Sequence, residues 1–233
     1  MKKLALVAGH YLGTSGKRCL KSLDPNETRE WVLNNRIADK VENLLGDYNG
    51  IEVLRLDDTT GNKDISLEKR TDSANKFDAD FYLSIHHNAA GKLFNGGGIV
   101  AYVYTNAIEA SIEWQKLLYN ALIATTGLKG NRSNPLAKAN LHECRETDMP
   151  AVLLELGFMD STTDVPIILT EEYADQCAAA IVKVIVDKWE LTAKVKEPDE
   201  IPPSNLDRLE AELNCLENAI ANVRSIINSM KTI

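Results

Sequence analysis

Short apolar runs rich in strand-forming residues alternate with stretches of helical spacing along about the first 190 residues, and this alternation limits the fold more than any other feature. The runs at 4–8, 51–56, 81–86, 99–104 and 151–156 read as strands. Between them, residues 30–45 place Val32, Ile37, Val41, Leu44 and Leu45 on helical intervals, shortly after the turn-forming Asp24-Pro25-Asn26. Residues 66–77 read as a second helix with Ser66 as its cap, 108–126 as a third, and 171–189 as a fourth that begins after the natural N-cap Thr170. Strands separated by helices predict an α/β fold, a mostly parallel sheet covered by helices on both faces. In such sheets, functional groups gather where strands end and loops begin.

The pattern breaks after Trp189. Residues 192–204 hold three prolines and five charges with no apolar period, the mark of a linker. Beyond it, Leu206, Leu209, Leu213, Leu216, Ile220, Val223, Ile227 and Met230 step by three and four. With Leu206 at position a, these residues fill every a and d position of a heptad seam. The expected organisation is therefore a domain over 1–191, a linker over 192–204 and a coiled-coil-like helix over 205–233. The regular narrow seam behind a proline-bearing linker favours self-association through 205–233 over folding back on the same chain. The e positions run Glu210, Glu217, Arg224, Lys231, which favours antiparallel pairing, while Ala219 and Ile226 at g leave larger bundles open.

Composition removes several classes of partner. Acidic residues number 34 against 26 basic, a net charge of −8, so nothing draws the chain to nucleic acid or to an anionic membrane surface. No run approaches the ~20 apolar residues of a membrane-spanning helix, so membrane insertion is not expected. The opening Met-Lys-Lys-Leu-Ala-Leu-Val-Ala is short, has no small-residue cleavage site after it, and reads as a first strand rather than a signal peptide. Synthesis in the cytoplasm follows as an expectation. The cysteines Cys19, Cys144, Cys177 and Cys215 lie far apart with no Cys-x-x-Cys pair, which predicts free thiols rather than a disulfide framework or a thiolate metal site.

The chemistry is concentrated in few residues. His10 follows Gly9 at the end of the first strand, and His86 ends the third strand in Ser84-Ile85-His86-His87-Asn88. In a parallel sheet both imidazoles lie at one edge. Glu30, at the start of the first helix, supplies a carboxylate. Two imidazoles and one carboxylate with an open position form a donor set for a catalytic zinc ion, which lowers the pKa of a bound water to roughly 7. Such chemistry needs a further carboxylate to move a proton. Glu155 qualifies, since it ends an apolar strand where an ionisable group is costly without a task or partner.

These residues resemble the zinc-dependent N-acetylmuramoyl-L-alanine amidases of the Amidase_3 family. The matching pieces are Ala8-Gly9-His10, Glu30 eight residues before Ala38, Ser84-Ile85-His86-His87-Asn88, and Thr147-Asp-Met-Pro-Ala-Val-Leu-Leu-Glu155-Leu-Gly-Phe-Met. The resemblance spans about residues 1–190. It implies one Zn2+ held by His10, Glu30 and His86, with Glu155 as catalytic carboxylate, and cleavage in peptidoglycan of the amide between N-acetylmuramic acid and the L-alanine of the stem peptide. Glu27, one turn before Glu30, is a rival ligand that the distance to Ala38 disfavours.

The segment after His10, Tyr11-Leu12-Gly13-Thr14-Ser15-Gly16, is similar to phage and clostridial endolysins rather than to periplasmic remodelling amidases. On this likeness the chain acts on the wall after release by a holin-type route or cell lysis. His87 stands where the family usually has alanine; it points to the opposite face from His86 and packs or lies at the cleft rim. Asn88 is a candidate to fix the loop or touch substrate, and Arg145 to bind a stem-peptide carboxylate. Arg70 and Lys92 read as ordinary solvated charge, and His142 as a residue of the cleft wall or the surface. The competing functions are a zinc peptidase or carboxypeptidase acting on stem peptides and a non-catalytic wall-binding coiled-coil protein.

Overall fold

The structure is a computed structural model that describes residues 1–128, 134–195 and 205–230. In chain order its elements are β1 (Lys2–Ala8), α1 (Glu30–Leu45), β2 (Tyr48–Asn49), β3 (Ile51–Arg55), α2 (Leu67–Phe77), β4 (Phe81–Asn88), β5 (Ile99–Tyr104) and α3 (Glu109–Thr126). There follow β6 (Leu136–Ala139), α4 (His142–Arg145), β7 (Ala151–Phe158), α5 (Val165–Ile168), α6 (Glu171–Trp189), β8 (Thr192–Ala193) and α7 (Asn205–Met230). Six strands form one sheet in the order β3-β1-β4-β7-β5-β6. The first four run parallel; β5 meets β7 antiparallel and β6 follows the direction of β5. The sheet is thus mostly parallel, as the alternation of elements predicts.

Strand alternation sorts the side chains into two layers. Leu4, Leu6 and Ala8 of β1, Phe81, Leu83 and Ile85 of β4, and Val152, Leu154 and Leu156 of β7 face one side. There they pack with Leu33, Ile37 and Val41 of α1, Trp114 and Leu118 of α3, and Ile181 and Ile185 of α6. The opposite face carries Ala5, Val7, Tyr82, Ala151 and Leu153, covered by Ala74 of α2 and Cys144 of α4. Three long helices thus cover one face, and one helix and a single short turn the other.

Local signals set the helix ends. The Ser66 side chain accepts from Lys69 N, and Thr170 accepts from Tyr173 N, each satisfying a donor that the first turn would leave orphaned. The described chain divides into two compact units, Met1–Lys194 and Val195–Ile233. The first unit runs three residues past its expected end at 191, because Thr192–Ala193 pairs with Tyr48–Asn49 and Lys194 N donates to Asp47 O at 2.7 Å. The expected linker over 192–204 therefore loses its first residues to a strand, and 196–204 lie outside the described residues. Among the described residues of the second unit, α7 spans most of the predicted heptads. No helix among the described residues is long and apolar enough to cross a membrane. All four cysteines are free, with Cys19, Cys144 and Cys177 buried and Cys215 exposed.

Candidate active site

The site is built around the end of β1. The strand stops at Ala8, whose N–H donates to Asp57 Oδ1 at 2.9 Å. Gly9 N donates to Ile85 O at 2.9 Å, and Asn34 Nδ2 of α1 donates to Gly9 O at 3.0 Å. The chain then turns at His10, which has φ of 66°, a left-handed conformation uncommon for a residue with a side chain. Gly9 has a steric reason of its own, since a Cβ added there would overlap Cε1, Nε2 and Nδ1 of His86. The missing side chain lets the His86 ring lie against the β1 terminus.

Glu30 is the first residue of α1, where the helix dipole favours a carboxylate. It is fully buried, and Oε1 is ringed by nitrogens: His86 Nδ1 at 3.1 Å, His87 N at 3.3 Å, His10 Nε2 at 3.4 Å and Asn34 Nδ2 at 3.5 Å, of which the His87 and Asn34 N–H groups donate. Oε2 is buried without a hydrogen bond among the described residues, with Lys17 Nζ 3.5 Å away. Glu27, the rival carboxylate, sits at φ 50° and pairs with Arg18 at 3.1 Å instead.

Electrostatics follow from this crowding. Burial lowers the His10 pKa to about 4 despite the nearby Glu30. Burial alone would raise the Glu30 carboxyl, but the hydrogen bond and charge of His86 outweigh it and hold it at about 2. For His86, burial is overcome by the carboxylates of Glu143 and Glu30, which bring its pKa up to about 10. His87 faces away from this cluster, is buried with Nδ1 2.8 Å from Asn34 Oδ1, and is pushed down to about 3 by burial. It packs, as the alternation of strand faces predicts.

One ligand atom each from His10, Glu30 and His86 lie within 4.8 Å of one another. Two imidazoles, a carboxylate and a buried carboxylate oxygen lacking a hydrogen bond fit a divalent cation of the zinc type. Glu155 is next to this set: it is the direct partner of His86 in the parallel pairing of β4 with β7, and it is half-buried. A cleft of about 210 Å³ opens on His10 and His86 between Thr14, Asp64, Ile65 and Leu67.

Other residues singled out from the sequence fall elsewhere. Asn88 turns its Oδ1 to Ala89 N at 2.8 Å and so fixes its own loop. Arg145 does not join the residues lining the cleft at His10; it pairs with Glu146 and donates to Asn140 Oδ1 at 2.7 Å, beside a separate depression shared with His142. His142 Nε2 lies 3.4 Å from Thr71 Oγ1. Arg70 is buried rather than solvated, donating to Ile65 O at 2.9 Å and to His10 O at 3.3 Å. Sequence reasoning missed Glu143 and Asn34. Asn34 had a signal, because it stands one helical turn from Glu30 on the same face.

Two histidines and a glutamate within reach of one another, with a second glutamate on the adjacent strand, form a donor set that suits a metal-dependent hydrolase. Residues 4–187 match the Amidase_3 family, N-acetylmuramoyl-L-alanine amidase, and the chain belongs to that family, which is generally zinc-dependent. It is 35% identical over 121 residues to the N-acetylmuramoyl-L-alanine amidase CwlM of Bacillus licheniformis, covering 52% of this chain and 44% of that protein. It is 31% identical over 156 residues to the sporulation-specific N-acetylmuramoyl-L-alanine amidase of Bacillus subtilis, covering 66% of this chain and 57% of that one. The chain thus spans about half the length of these relatives. Among solved structures, an N-acetylmuramoyl-L-alanine amidase from Clostridium difficile 630 superposes with a TM-score of 0.73 at 26% identity, over 81% of this chain and 97% of that one. The catalytic domain of CwlV from Bacillus (Paenibacillus) polymyxa var. colistinus gives 0.72 at 26% identity, over 82% and 100%.

Proposed function

We propose that the chain is a zinc-dependent hydrolase of the peptidoglycan amide that joins N-acetylmuramic acid to the L-alanine of the stem peptide. The observation that carries this reading is the convergence of His10, Glu30 and His86 within 4.8 Å beside Glu155. His10 and His86 would hold zinc through imidazole nitrogens and Glu30 through its carboxylate. Zinc in such a site lowers the pKa of bound water and polarises a carbonyl oxygen. The chain supplies the rest. A carboxylate oxygen of Glu155 takes the proton from the attacking water and returns it to the departing L-alanine nitrogen, so no covalent intermediate with the chain is required. Asn34 and the backbone N–H of His87 hold Glu30 in place, and Gly9 leaves room for His86.

The test is digestion of purified walls by the full chain with and without chelator. The expected products are new L-alanine amino termini and uncleaved glycan strands, lost on chelation and restored by added zinc. Release of free amino acids or dipeptides from the stem without new L-alanine termini would instead indicate a stem peptidase.

The second unit supports a further part of the reading, self-association through α7. Leu209, Leu213, Leu216, Ile220, Val223 and Ile227 are each 45–62% exposed along this helix, a continuous apolar stripe of the kind that marks an interaction surface. A second copy of the same helix offers a matching heptad seam. Several catalytic units on one assembly would raise avidity for a polymeric wall. Sedimentation of the full chain beside a truncation after Lys194 checks this; an oligomer that becomes a monomer on truncation is expected, and equal monomeric behaviour of both would contradict it.

A further inference from the structure

Tyr82, Ser84 and His86 lie two residues apart on β4 and therefore share one face of a strand buried on both sides. Three polar side chains in a row on a buried face need a common partner. That partner is Glu143 of α4, itself only 4% exposed. Tyr82 Oη donates to Glu143 Oε1 at 2.7 Å, and Ser84 Oγ reaches its two oxygens at 3.3 and 3.4 Å. His86 Nε2 lies 3.7 Å from Glu143 Oε2, a charge contact, and has no hydrogen-bond partner among the described residues. Arg70 Nη1 stands 4.0 Å from Oε1, while Nη2 of the same guanidinium donates to the backbone oxygen of His10.

The two nitrogens of His86 therefore face different carboxylates. Nδ1 is turned to Glu30 and the proposed metal set, and Nε2 is turned to Glu143. A metal-bound imidazole commonly gives its remaining N–H to a carboxylate, which fixes the ring and raises its basicity as a ligand. We propose that Glu143 is the positioning residue for His86, held by Tyr82 and Ser84, and that Arg70 ties it to the turn carrying His10. This inference rests on the reading of His10, Glu30 and His86 as a zinc site. A carboxylate serving stability alone would be satisfied by Tyr82, Ser84 and Arg70 and would have no need to face the ring nitrogen opposite the metal set. Glu143 does not itself line the cleft but lies behind His86 and Arg70, which do, so its effect passes through the ligand.

The test uses the stripped full chain titrated with Zn2+ against a chromophoric chelator, together with absorption spectra of the Co2+-loaded protein. Glu143→Gln keeps the size of the side chain, removes its charge and replaces one acceptor oxygen with an N–H donor. It is expected to weaken zinc binding by about 10–100-fold and to alter the cobalt bands, with a smaller loss in Tyr82→Phe. Zinc affinity within about twofold of wild type and an unchanged cobalt spectrum in folded Glu143→Gln would overturn the proposal. Should that variant not fold, Glu143→Asp retains the charge but withdraws it by one methylene; weakened zinc binding is expected, and wild-type affinity overturns the proposal. Because the titration contains no substrate, wild-type zinc binding without wall cleavage would refute the amidase reading and leave Glu143 standing. Failure of the wild-type chain to bind zinc would overturn both.

Discussion

The two faces of the central sheet are made by the same strands, yet one is apolar throughout between its helices while the other sets buried polar groups among its apolar side chains. On one face Leu83 and Ile85 of β4, Leu4 and Leu6 of β1, and Leu154 of β7 meet the three long helices α1, α3 and α6 in an apolar layer. On the other, one residue along, Tyr82, Ser84 and His86 meet Glu143, which Arg70 faces, and Glu155 lies beside His86, with only α2 and the single turn of α4 above them. The apolar face supplies the burial that holds the sheet together, at roughly 1.5–3 kcal/mol for each fully buried large aliphatic side chain. The thinner face tolerates buried charge because each member has a partner. Chemistry is placed where apolar packing has been given up, and the period of two along a strand puts the two duties on adjacent residues.

Substitutions on the two faces should therefore separate activity from stability. The largest effect is expected in His86→Ala and His10→Ala, which should lose bound zinc and more than about 100-fold of wall-cleaving activity, since removing even an outer partner of a ligand costs about 10–100-fold. Metal analysis of the folded variants checks this, and stoichiometric zinc in either would remove that residue from the ligand set. Across the sheet, Leu83→Ala should cost about 2–5 kcal/mol in unfolding free energy, while zinc content per folded molecule stays at the wild-type level. Denaturant titration beside metal analysis measures both.

A smaller effect concerns pH. Glu30 and Glu143 are each held down to about 2, by His86 in both cases against the opposing effect of burial. Groups with lowered folded pKa values contribute stability above their unfolded values near 4.5, and this is lost as pH falls towards 2. His86, raised to about 10, contributes below about 6.5, and its share is lost as pH rises towards 10. His10 and His87, lowered to about 4 and about 3, contribute above about 6.5 and lose their share as pH falls below it. Stripped protein should accordingly be most stable near pH 6.5 as far as this cluster is concerned. The alkaline decline should flatten in His86→Ala and persist in Leu83→Ala, which melting curves across pH would resolve.

Much of the fold was legible because its signals are local. The helix at Glu30–Leu45 and that at Glu171–Trp189 match their predicted limits, the latter through the Thr170 cap. Strands 81–86 and 151–156 were foreseen but end too early: β4 continues through a register shift to Asn88, and β7 continues to Phe158; strand 4–8 ends where predicted, at Ala8, and begins two residues earlier, at Lys2. β6, Leu-Ala-Lys-Ala at the sheet edge, carries no β-branched residue to announce it. The antiparallel entry of β5 is a matter of topology that no local pattern encodes.

At the site, His10, His86 and Glu155 stood out because each is a chemical misfit at the close of an apolar run, and Glu30 because it opens a helix after a polar loop. Glu143 did not, because its meaning lies in partners some sixty residues away, Tyr82 and Ser84. The alternation Tyr-x-Ser-x-His on a strand otherwise apolar was nonetheless a signal that something polar must cover that face. Arg70 was read as solvated for the same reason in reverse: its burial depends on Ile65, His10 and Glu143 meeting around it.

The division of labour between three ligands and one separate carboxylate is most directly tested by Glu155→Gln, assayed for zinc content and wall cleavage on the same preparation. The account predicts wild-type zinc with activity lowered by about 10²–10⁴-fold, the usual worth of a positioned acid–base group. Activity within about tenfold of wild type, or loss of the metal with the carboxylate, would contradict it.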